Sequence, residues 1–189
     1  MLKKITIVFV LAFSYSIIRY NVFGIVPIAD IPTLIINKAI AFSIIIMLLL
    51  GSISVINKKS DDYSEYLDLI KTFAIIHVLL SITLLSQNYY PKLFANEKLT
   101  LFANITVLFG VLSFTYMINN RYRIKSLIIY SLIAIHIFCL GFKGWFEIEK
   151  WNGMMPPITL ICFLIMIVLI VLSILNKNIL YSDNLKADK

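Results

Sequence analysis

The chain contains six apolar runs, each long enough to cross a bilayer, and this feature narrows what it can fold into more than any other. They cover about residues 5–22, 33–56, 67–86, 99–118, 126–142 and 157–175. An α-helix needs about 20 apolar residues to cross roughly 30 Å of hydrocarbon. Backbone groups in lipid find no water to bond, so an open sheet edge is excluded there. A barrel would show short segments of alternating polarity, and no such alternation is present. With 60% hydrophobic and 14% charged residues, too few polar side chains remain to cover a soluble domain. The expected fold is therefore an all-α integral membrane protein, a six-transmembrane-helix bundle forming one domain over residues 1–189.

The connectors divide into two kinds. Asn57-Lys58-Lys59-Ser60-Asp61-Asp62 and Asn119-Asn120-Arg121-Tyr122-Arg123-Ile124-Lys125 are polar and basic. The opposite connectors, Asn88 to Phe94 and Gly144 to Trp151, are rich in Tyr, Trp and Phe, as residues of the headgroup layer are. If the N-terminus is inside, ten Lys and Arg lie on the inner side, including Lys3, Lys4, Lys58, Lys59, Arg121, Arg123, Lys125 and Lys177. Six lie on the outer side: Arg19, Lys38, Lys92, Lys98, Lys143 and Lys150. This bias predicts cytoplasmic N- and C-termini, a short cytoplasmic tail over 176–189, and a multi-pass protein of the cell's inner (plasma) membrane. The net charge of +7 reads as topology, not as a nucleic-acid surface. The basic start and Ala12-Phe13-Ser14 are reminiscent of a cleavable signal, but the apolar run continues through Ile18, so a retained first helix is expected.

The chain has two histidines, His77 and His136, and both fall inside predicted spans, the third and the fifth. Each is the eleventh residue of its span as bounded above, and both spans run in the same direction. The two imidazoles are thus expected at one depth. Ionisable residues in hydrocarbon are costly and mark sites. Two neutral imidazoles facing each other across a bundle can ligate a planar metal cofactor from opposite sides. Ala74 and Ser81 flank His77 and leave room, while Ile133 and Leu140 flank His136 with apolar bulk. No carboxylate or thiolate cluster suits a bare metal ion. The competing account is that each histidine hydrogen-bonds between helices as a structural residue.

This arrangement, with His77 in Ile76-His77-Val78-Leu79-Leu80-Ser81 and His136 in Ile135-His136-Ile137, resembles the ferric-reductase-like transmembrane superfamily of haem b proteins, in its single-haem form. That group includes the six-transmembrane metalloreductases, the NADPH oxidases and the haem subunit of the bacterial methionine-sulfoxide reductase system. The resemblance implies one haem b with His77 and His136 as metal ligands, a cytochrome b engaged in electron transport. Two-haem members carry two histidines on each of two helices, and this chain has one on each. The 189 residues hold no flavin- or nucleotide-binding domain, so the resemblance implies that the electrons of such an oxidoreductase would come from a redox partner protein or a membrane quinol. They would leave to an extracytoplasmic acceptor.

Other polar residues carry their own expectations. Lys38, next to Asn37, either pairs with a cofactor carboxylate or substrate anion, or snorkels to the headgroups. Arg19 is expected to snorkel. Lys71 lies one turn from Asp68, as an ion pair. Gly110 and Ser113 read as a close-packing patch, Pro156-Pro157 as the entry to the last helix, and Cys139 and Cys162 as buried hydrophobes. The aromatic outer connectors serve either as an interfacial belt or as a partner surface. Besides the haem protein, two further classes fit the sequence: a non-enzymatic membrane subunit or assembly partner of a larger complex, and a small transporter.

Overall fold

The computed structural model describes residues 2–57, 60–119 and 126–175. Six long helices account for most of them: α1 Leu2–Ile17, α2 Ile36–Ile56, α3 Ser60–Leu84, α4 Leu101–Ile118, α5 Ser126–Trp145 and α6 Ile158–Leu175. All six, taken with their flanking turns, are long and apolar enough to cross a membrane. Their outward faces fit that solvent. Leu11, Leu79, Leu108, Leu164, Val171 and Ile174 are all exposed, an arrangement that water would penalise and lipid tails would not. Lys58, Lys59, the basic connector 120–125 and the tail 176–189, on which the orientation chiefly rests, lie outside the described residues.

Two boundaries differ from expectation. α3 begins at Ser60, seven residues before the expected 67, and ends at Leu84. Ser60, Asp61 and Asp62, expected as part of the connecting loop, belong to the helix instead. The second span is entered through a turn at Ile28–Asp30 and a widened stretch at Ile31–Ile35. A similar widened stretch, with Phe23 N–H bonded to the Ile18 carbonyl at 3.0 Å, extends α1 over Ile18–Val22. Such wide turns re-aim side chains and gather at functional sites. Here the first contains Arg19 and Tyr20, and the second leads directly into the turn of α2 that carries Lys38.

α2 is the central helix, packed against α1, α3 and α6, while α5 packs against α4 and α6. The helices form a horseshoe in which α3 and α4, at its two ends, touch only sparsely. Two of the buried hydroxyls turn back on their own helices, Ser16 donating to Ala12 O at 2.8 Å and Ser43 to Ala39 O at 2.7 Å, while the Ser52 and Tyr130 hydroxyls share a bond of 2.9 Å between α2 and α5. Bonds of the first kind let small polar residues sit in an apolar interior without a partner helix. α5 and α6 are joined where Trp145 Nε1–H donates to Thr159 Oγ1 at 2.9 Å, beside Gly141, where a Cβ would collide with both. Trp145 is buried, so this part of the aromatic connector is core and not interfacial belt. Cys162 is also buried and Cys139 partly so, and both are free thiols. Lys71 and Asp68 form the expected i,i+3 pair at 3.9 Å. Pro157 precedes the first residue of α6 and accepts a bond from Leu160 N–H at 2.9 Å.

Candidate functional site

Inside the horseshoe lies a cavity of about 550 Å³, bounded by α2, α3, α4 and α5 and closed at the back by Ile158, Thr159 and Cys162 of α6. This is within the roughly 300–1,000 Å³ range of small-molecule and cofactor sites. Its walls are largely apolar, with Ile44, Ile45, Val78, Phe114 and Ile137 among them. His77 and His136 both line it, so the two residues singled out by the sequence meet in one site.

Each histidine is held by one ring nitrogen. His77 Nδ1 lies 2.7 Å from Asn37 Oδ1, and the Asn37 amide donates in turn to Ser81 Oγ at 3.1 Å. His136 Nδ1 lies 2.8 Å from the Thr106 carbonyl oxygen. Both partners are acceptors, so Nδ1–H is the donor in each ring, and the proton sits on that nitrogen. Nε2 is left with its lone pair in both rings. Among the described residues it has no hydrogen-bond partner in either one. Outer bonds of this kind fix tautomer and ring plane in metal-ligating histidines.

Local sequence explains how each ring reaches its acceptor. Ser81 is one turn from His77 on α3, so one amide from α2 can bridge them. His136 must approach a backbone carbonyl of α4, and that carbonyl belongs to Thr106, four residues before Gly110. A side chain at position 110 would stand over that carbonyl. A Cβ there would meet His136 Nδ1 and Cε1 at 2.9 Å. Gly110 is thus a docking place for the His136 ring, a sharper role than helix packing alone. The Ser113 hydroxyl, bonded to Gly110 O at 2.9 Å, is occupied by its own helix.

The end of the cavity nearest the connector after α3 is more polar. Tyr20, Lys38, Tyr89, Tyr90 and Lys92 line it, so part of the aromatic connector after α3 is a wall of the site. Tyr89 OH donates to Asp30 Oδ1 at 3.2 Å, which ties that connector to the turn before α2. Lys38 Nζ rests 4.6 Å from the centre of the Tyr20 ring.

Arg19 departs from expectation. It does not snorkel but is 5% exposed, and its guanidinium donates to the carbonyl of Met155, with Asn152 O at 3.5 Å. In the turn at 152–155 the buried guanidinium supplies a donor to the Met155 carbonyl, while Asn152 O also accepts from Met155 N–H at 3.1 Å. Arg19 therefore fastens the end of α1 to the connector before α6. It does not line the cavity.

Among the described residues no group of His, Cys, Asp and Glu could hold a metal ion unaided. Two imidazoles line the cavity, each held through Nδ1, and the buried Cys162 thiol lines it as well. The fold and site together define a class: a mostly helical protein of six span-length helices, with a cavity whose lining includes both histidines. Neither a protein-family model nor a curated protein matches the chain.

Proposed function

We propose that the chain is a single-haem membrane cytochrome b that takes electrons from a quinol or partner reductase and passes them toward an extracytoplasmic acceptor. The observation that carries this reading is the pair of Nε2 lone pairs in one largely apolar cavity, each fixed by an acceptor on the opposite nitrogen. In the competing account of structural histidines, hydrogen bonds across helices are the whole purpose of the rings. Among the described residues only one nitrogen of each ring makes such a bond, and the other has no partner.

When bound, haem supplies a one-electron iron couple. The chain's own residues bind and tune it. His77 and His136 would hold the group through their Nε2 lone pairs, and Asn37 and Thr106 fix the ring planes. Val78, Phe114, Ile137 and their neighbours exclude water, which keeps the site at low dielectric and sets its potential. In this reading the N- and C-termini face the cytoplasm, and the Tyr20–Lys38–Lys92 end of the cavity faces outward across the plasma membrane.

The test is the reduced-minus-oxidised visible spectrum of the full chain, purified in detergent after expression with added haem precursor. Cytochrome b bands in wild type, lost in both His77→Ala and His136→Ala, support the reading. Absence of bands from wild type contradicts it.

A further inference from the structure

The cavity is electrically one-sided. Its lining includes two lysines, Lys38 and Lys92, and no Asp or Glu. Lys38 is the third residue of α2, inside a span-length helix, where an ammonium without a counter-charge is costly. Among the described residues no carboxylate lies within ion-pair distance of it; the ion pairs are Lys71–Asp68 and Lys150–Glu147. Asp30, in the turn leading to α2, is engaged by Tyr89. A snorkelling lysine would carry its ammonium out to the headgroups, but Lys38 turns it over the Tyr20 ring at the cavity wall. That ring attracts a cation without neutralising it. Lys92 adds a second positive charge at the same end, from the connector that Tyr89 pins.

We infer that Lys38 and Lys92 form an acid-binding pole, which recognises a ligand carrying carboxylates at one edge and an apolar body. The inference rests on the haem reading above and deepens it. The acid edge of the porphyrin belongs at the Tyr20–Lys38 end of the cavity, and Lys38 is the residue that selects a free acid over an uncharged analogue. Asn37 and Lys38 are neighbours on α2, so one short segment both orients His77 and supplies the counter-charge.

The test compares two porphyrins that differ only at that edge, iron protoporphyrin IX and its dimethyl ester. Each is titrated by visible absorbance into the full-length protein, purified without added haem and held in nanodiscs of neutral lipid. A charged hydrogen bond in a dry site corresponds to about tenfold in affinity or more. Wild type should therefore prefer the acid by about tenfold. Lys38→Met should lose most of that preference by weakening the acid alone, Lys38→Arg should keep it, and Lys92→Ala should reduce it partly. Equal binding of acid and ester by wild type overturns the inference and leaves the haem reading standing. Binding of neither porphyrin overturns both. If the preference disappears when the nanodiscs contain anionic phosphatidylglycerol, the pole belongs to a lipid headgroup and the inference fails.

Discussion

The Nδ1 of His136 lies 2.8 Å from the carbonyl oxygen of Thr106, reached across a backbone position where Gly110 has no Cβ to obstruct it. One missing methyl group thus sets the orientation of a ring on the neighbouring helix. His77 is held differently, by a side-chain amide. Each anchor therefore fails to a different substitution.

Gly110→Ala should push His136 off the Thr106 carbonyl. The new Cβ would stand 2.9 Å from two ring atoms, closer than packing allows. Overpacking of this kind costs about 1–3 kcal/mol. The expected result is a lower melting temperature in detergent and a several-fold loss of haem per protein. Gly110→Ser should be no better, and Leu108→Ala, on the same helix but exposed and away from the cavity, should leave haem content unchanged.

Asn37→Leu should remove the acceptor from His77 and the donor from Ser81 at once. Loss of such an outer partner typically lowers metal affinity by about 10–100-fold. Asn37→Asp keeps an acceptor but charges it, which strengthens the basicity of the imidazole and should lower the midpoint potential of bound haem. Ser81→Ala, which frees only the far side of the amide, should have a smaller effect in the direction of Asn37→Leu. Haem titrations and redox potentiometry check all three.

Arg19→Met should destabilise the protein without altering its visible spectrum. The substitution keeps much of the buried stem but leaves the Met155 carbonyl without its donor. Leaving a buried polar group unpaired costs about 1–3 kcal/mol. A lowered melting temperature with intact band positions is the expected outcome. A shifted spectrum would place Arg19 in the site.

Trp145→Phe should remove the bond to Thr159 while retaining most of the aromatic packing on Phe138 and Phe163. The expected loss is about 1 kcal/mol. Thr159→Val should cost a similar amount, and the double substitution should cost clearly less than the sum, as a thermal-melt cycle can measure.

Much of this fold is legible in the sequence because lipid imposes a simple rule: every backbone group must be satisfied within its own span. The six runs follow from that rule, as does the choice of His77 and His136, whose side chains are out of place in hydrocarbon. What stayed hidden has no one-dimensional mark. The Thr106 carbonyl is a backbone atom, and only Gly110, a glycine within an apolar run, signals that something approaches there. Asn37 was visible as a polar residue beside Lys38, but its pairing with a histidine forty positions away is a fact of packing. Arg19 was misread because a positive charge at a span end usually reaches outward. The carbonyls that draw it inward lie more than 130 residues later in the chain. Tyr89 and Tyr90 have the composition of a headgroup belt, and only the folded chain places them on the cavity wall.

The most direct test of paired ligation is the electron paramagnetic resonance spectrum of the oxidised, haem-loaded protein. Two axial imidazoles make ferric haem low-spin, so wild type should show a low-spin signal alone. His77→Ala and His136→Ala should each convert whatever haem they retain to a high-spin form. A high-spin wild type, or an unchanged low-spin signal in either variant, would contradict ligation by His77 and His136 together.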